Sequence, residues 1–166
     1  MNEKEILSAK INISLIDENS KTPEFSRPGD ACMDCYARTD VTIPGFNINT
    51  GLGRSLVPLG FKIALPAGWE AQVRPRSGLA LKEGLTILNS PGTVDENYRG
   101  EVGAIVVNTT TKSYSVKQGD RICQLAIRPI YDVSRVNCSC GVIWNVVEEL
   151  DETVRGEDGF GSSGKN

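Results

Sequence analysis

Along much of the chain apolar and polar residues alternate with a period of two. Successive side chains of a strand point to opposite faces, so this period predicts strands rather than helices. Ile11, Ile13 and Leu15 alternate with polar neighbours and predict a first strand. Asp34, flanked by apolar and small residues, is placed on another. Apolar, β-branched runs follow at 56–65, 71–73, 85–88, 102–107, 114–116, 122–130 and 142–147. Turn residues separate them at Pro44-Gly45, Pro66-Ala67-Gly68, Pro91-Gly92 and Gln118-Gly119-Asp120. Only residues 77–83 (SGLALKE) read as a helix, with good helix formers after a serine and a stop at Gly84. Its N-terminal N–H groups would favour a phosphate. The spacing predicts an all-β sandwich or barrel-like fold with one short helix.

Composition narrows the chemistry. The chain has 166 residues, enough for one domain with a real core. Its net charge of −3 gives no broad attraction to nucleic acid, so a polyanionic substrate needs a metal ion or local arginines. Residues 1–10 mix Glu and Lys without an apolar stretch, and no run reaches the length of a membrane span. These features, with five irregularly spaced cysteines, lead us to expect an intracellular, cytoplasmic protein without a disulfide framework. There is no histidine, which excludes Ser-His-Asp and Cys-His catalysis. A general base must then be mainly Asp or Glu.

Residues 1–154 are expected to form the β domain. Residues 155–166 (RGEDGFGSSGKN) have too little apolar surface for a core and are expected to form a flexible C-terminal arm. The arm contains a literal G-x-G-x-x-G, but without the preceding strand and following helix that such a motif needs. Cys32, Cys35, Cys138 and Cys140 could supply four thiolates to zinc; alternatively Cys32 and Cys35 flank Asp34 as small apolar residues. Cys123 reads as core.

Five motifs, in order, resemble the trimeric dUTPase family: 31–37 (ACMDCYA), 75–80 (PRSGLA), 89–100 (NSPGTVDENYRG), 119–125 (GDRICQL) and 155–164 (RGEDGFGSSG). The resemblance implies a distorted jelly roll (the β-clip) and a homotrimer with active sites shared between subunits. It implies hydrolysis of dUTP to dUMP and pyrophosphate, which limits uracil in DNA and supplies dUMP for thymidylate synthesis. Mg²⁺ is the implied cofactor, held by Asp34 through water together with the substrate phosphates. Arg76, Ser77 and Gly78 would bind phosphate at the helix start. The segment 89–100 reads as a β-hairpin in which Asn89, Gly92, Thr93 and Val94 recognise uracil through the backbone. Tyr98 would pack on deoxyribose and leave no room for a 2′-hydroxyl. Asp95 is implied as the base that activates water for attack on the α-phosphorus. Gln124 would contact the α-phosphate, whereas Asp120 and Arg121 read as a structural turn and ion pair. In the arm, Phe160 would stack on uracil, next to Gly161, while Arg155, Ser162 and Ser163 bind the γ-phosphate.

The sequence departs from the family's pattern at Asp158, where Gly is usual, and at Ser163, where Thr is usual. Cys32 and Cys35 stand in place of Gly and Leu, and segments 46–54 and 134–144 look like insertions. Two rival readings follow. One is a dCTP deaminase, which shares the fold but lacks this combination of Tyr-bearing segment and arm. The other is a module that signals to a protein partner at the insertions through its nucleotide-bound state.

Overall fold

The computed structural model describes residues 10–130. Strands β1 (Asn12–Leu15), β2 (Met33–Tyr36), β3 (Val41–Ile43), β4 (Gly53–Pro58), β5 (Phe61–Ala64) and β6 (Trp69–Pro75) precede helix α1 (Ser77–Glu83). Strands β7 (Leu85–Ile87), β8 (Gly92–Val94), β9 (Gly103–Asn108), β10 (Tyr114–Val116) and β11 (Arg121–Pro129) follow it. They form a four-stranded sheet in the order β2-β11-β6-β8, a three-stranded sheet β4-β9-β7, and the pairs β1-β5 and β3-β10. All the registered pairings are antiparallel.

The period of two becomes one core. On β6, Ala71 and Val73 are buried while Glu70, Gln72 and Arg74 lie on the other face. Val57 pairs with Ala104 across β4 and β9, and both side chains are buried. Phe61 and Ile63 bring β5 into the same cluster, with Ile43, Val116, Cys35, Cys123 and Leu125. The alternation expected for the first strand is present in sequence, but all four residues of β1 are exposed. The continuous run 56–65 is two strands rather than one. Gly60, at φ 81°, breaks it, and a Cβ there would meet the Ser20 side chain at 2.6 Å.

Helix α1 spans the expected residues and ends at Gly84 in the left-handed region (φ 65°). Its N-cap is Arg76, not Ser77, and no side chain caps it. The segment 89–100 is not a hairpin. β7 pairs with β9 and β8 pairs with β6, so the chain crosses from one sheet to the other at Asn89, Ser90 and Pro91. Each strand is already committed to a long central partner, which outweighs the local pairing that a Pro-Gly turn suggests. No helix of the described residues is long and apolar enough to cross a membrane.

Candidate active site

Asp34 is the centre of one polar group. It lies on β2 with its side chain only 5% exposed, and it accepts three hydrogen bonds and faces Arg76 in an ion pair. The Ser26 hydroxyl donates to Oδ2 at 2.7 Å and the Arg121 guanidinium to the same oxygen at 3.1 Å. The Gln124 amide donates to Oδ1 at 3.1 Å, and Arg76 Nε lies 3.4 Å from that oxygen. Burial alone would push the pKa of this carboxyl up, but Ser26, Gln124, Arg76 and Arg121 together hold it below the ordinary carboxylate range.

Local geometry explains the convergence. Gln124 is directly opposite Asp34 across β11 and β2, so both side chains share a face. Arg121, three residues earlier, would point to the other face of a regular strand. The register shifts between Arg121 and Cys123, and this irregularity turns Arg121 onto Asp34. The ion pair of Arg121 is therefore with Asp34 and not with Asp120 as expected. Asp120 instead accepts the Lys117 N–H at 2.8 Å within the Gly119 turn. The remaining motif residues at this end, Ser77 and Gly78, begin α1 beside Arg76.

A second group lies at β8. Thr93, Val94, Asp95, Tyr98, Glu101, Val102 and Gly103 line a pocket. β8 is the end strand of its sheet, so one edge of its backbone faces away from β6. Such an edge offers N–H and C=O groups to a ligand. Asp95 follows the strand, and its backbone carbonyl accepts the Tyr98 N–H at 3.0 Å. The Tyr98 hydroxyl donates to the Glu101 carbonyl at 3.0 Å. Asn89 is exposed before β8, and its amide lies 3.2 Å from where a Gly92 Cβ would be. The floor is braced by Arg38, which grips Glu101 through Nε at 2.9 Å and a terminal nitrogen at 3.1 Å. Glu101 Oε1 also accepts the Gly60 N–H at 2.9 Å.

Among the described residues no hydrogen bond or ion pair joins the two groups. Arg155, Phe160, Gly161, Ser162 and Ser163 lie outside the described residues, as do Cys138, Cys140 and the insertion 134–144. The insertion at 46–54 is a tight turn in which Asn47 and Gly51 bridge. Sequence reasoning missed Ser26, Glu101 and Arg38, whose partners are distant in the chain. The partner of Arg121 was missed because a strand irregularity leaves no mark in the residue pattern.

The donor set was tested against Mg²⁺. No group of three or more acidic, His or Cys side chains among the described residues could hold a metal. Asp34 already accepts three hydrogen bonds and pairs with Arg76, which leaves a carboxylate about one acceptor site, enough for a water but not for a direct metal bond. An all-protein cage therefore does not fit. A metal that arrives with phosphates and keeps its waters does fit, with Asp34 reaching it through water.

The dUTPase family model matches residues 18–164. A deoxyuridine 5′-triphosphate nucleotidohydrolase of Wolbachia pipientis is 46% identical over 145 residues, covering 86% of each chain. One of Fusobacterium nucleatum is 43% identical over 157 residues, covering 94% of this chain and 99% of that one. Among solved structures, the Staphylococcus bacteriophage 80alpha dUTPase with dUPNHPP superposes with a TM-score of 0.67 at 24% identity, covering 94% of this chain and 99% of that one. A mutant dUTPase from phage phi11 of S. aureus, described with a structural Mg(II) ion, gives 0.65 at 20% identity, covering 86% and 99%. At these identities the structural likeness speaks for the fold.

Proposed function

Since the chain belongs to the dUTPase family, we propose that it hydrolyses dUTP to dUMP and pyrophosphate. The observation that carries this reading is the free edge of β8 beside Asp95 and Tyr98. A backbone edge pairs with uracil as a second base would, and close packing against it rejects the thymine methyl. Tyr98 walls off the 2′ position of the sugar. Asp95 takes the proton of the attacking water, since no histidine is available. Arg76 and Gln124 hold the phosphates from the β11 side. Mg²⁺, held by Asp34 through water, would neutralise charge on the leaving pyrophosphate. Residues 155–166 then act as an arm over the nucleotide, apart from the domain of residues 1–154.

We read the site as shared, with one subunit contributing β8 and another the Asp34 group, since no hydrogen bond or ion pair joins the two groups among the described residues. A homotrimer meets that need. The outer face of the three-stranded sheet supports it too, since Leu56 is 64% exposed, Leu88 50% and Ile105 36%. Such an apolar face is costly in water.

The test is pyrophosphate release from dUTP, UTP, dTTP and dCTP, with ammonia release followed in parallel. We expect pyrophosphate from dUTP far above the others, loss of activity in EDTA and recovery with Mg²⁺. Ammonia from dCTP, or full activity in EDTA, would overturn the reading.

A further inference from the structure

Arg76 and Arg121 converge on one carboxylate from different strand ends. Arg76 Nε reaches Asp34 Oδ1, and its NH1 donates to the Arg121 carbonyl at 2.9 Å. Arg121 NH1 reaches Asp34 Oδ2 at 3.1 Å and the Ser26 hydroxyl at 3.4 Å. Arg76 thus holds the backbone of Arg121 while Asp34 and Ser26 hold its head. The local count is two cations against one buried anion. Asp120, the adjacent carboxylate, is engaged by its own turn. Nε and NH2 of Arg121, and NH2 of Arg76, have no partner among the described residues. Arg121 is 49% exposed, so these donors are open to a ligand. A guanidinium presents its donors as a planar fork that matches two phosphate oxygens. Fixing the fork beforehand lowers the ordering cost of binding.

We propose that Arg121 is a further phosphate-binding residue, and that Asp34 and Ser26 are the positioning residues that hold it and Arg76 as a paired clamp. This rests on the dUTP reading, because the ligand is taken to be its triphosphate. Asp34 then has two roles, one toward a metal through water and one toward the guanidiniums. The second needs no metal. The clamp binds the polyphosphate and leaves the nucleoside to the separate pocket at β8.

The test is binding of inorganic tripolyphosphate and of deoxyuridine to the full chain, by calorimetry in metal-free buffer, for wild type and Arg121→Gln. We expect tripolyphosphate affinity to fall at least about tenfold in the variant, with a shallower dependence on salt. Deoxyuridine affinity should change less than about twofold. Arg121→Lys keeps the charge and loses the fork, and should give an intermediate loss. Ser26→Ala should weaken tripolyphosphate binding, and it should leave deoxyuridine binding unchanged. A merely structural Arg121 would lower both affinities in proportion. That result overturns the proposal, as does wild-type tripolyphosphate binding in Arg121→Gln. If Arg121→Gln does not fold, wild-type affinity in Arg121→Lys overturns it instead. Wild-type protein that binds tripolyphosphate through Arg121 but releases no pyrophosphate from dUTP would sink the activity and spare the clamp.

Discussion

Gly100 is demanded by space rather than by backbone dihedral. A Cβ there would lie 2.3 Å from the Tyr98 hydroxyl and 2.5 Å from Cζ, so the phenol ring needs the absent side chain. Gly100→Ala should push the ring outward. If Tyr98 is the wall against a 2′-hydroxyl, the ratio of kcat/KM for dUTP over UTP should narrow. An unchanged ratio would detach Tyr98 from sugar selection. Asp95 is testable in isolation because no described side chain hydrogen-bonds its carboxylate. Asp95→Asn keeps the shape and removes the proton acceptor. Turnover should fall about 10²–10⁴-fold, with binding of a non-hydrolysable dUTP analogue retained. Near wild-type turnover would mean that another group activates the water. Both residues were legible in sequence because their motif is contiguous. Ser26 and Glu101 were not, because each matters only through a partner brought close by folding.

Elements were predicted best where a run has a single partner face. The strand at 114–116 and the helix at 77–83 appear with the expected bounds. The segment 89–100 failed as a hairpin because strand partners are chosen by the sheets and not by the nearest turn. One buried polar residue ties the elements together. Asn108 ends β9 with no exposed surface. Its Nδ2 donates to the Lys112 carbonyl at 2.8 Å and the Ile43 carbonyl at 3.4 Å. Its Oδ1 accepts the Thr110 N–H and hydroxyl, each at 2.9 Å. It therefore closes the β9–β10 turn against β3. Asn108→Ala removes these bonds, leaves the buried Ile43 carbonyl without this donor and empties a buried site, so denaturant unfolding should show a loss of about 1–3 kcal/mol per chain. A midpoint equal to wild type would show that water replaces the amide.

At the scale of the whole molecule, the exposed apolar face of β4, β9 and β7 is the surface on which the proposed homotrimer is tested. Leu56 and Ile105 are cross-strand partners on it, next to Leu88. Leu56→Glu places a charge where a partner subunit would exclude water, so assembly should be lost. Sedimentation should give trimers for the wild type and smaller species for the variant, with activity falling in step. A fully active wild-type monomer would refute the shared site.

The residue pattern alone determined the strand-rich class, the single helix and the motif order. These depend on local period, turn chemistry and contiguous residue types, all of which are written along the chain. The exclusion of histidine chemistry follows from composition and needs no fold. Tertiary structure decided which strands pair, and with that the placement of Arg121 and Gln124 on one carboxylate. Pairing and register are set by competition among distant strands for one core, and the irregularity at Arg121 is a product of that competition. The Asp34 group therefore exists as a site only once β2, β11 and the start of α1 have packed together.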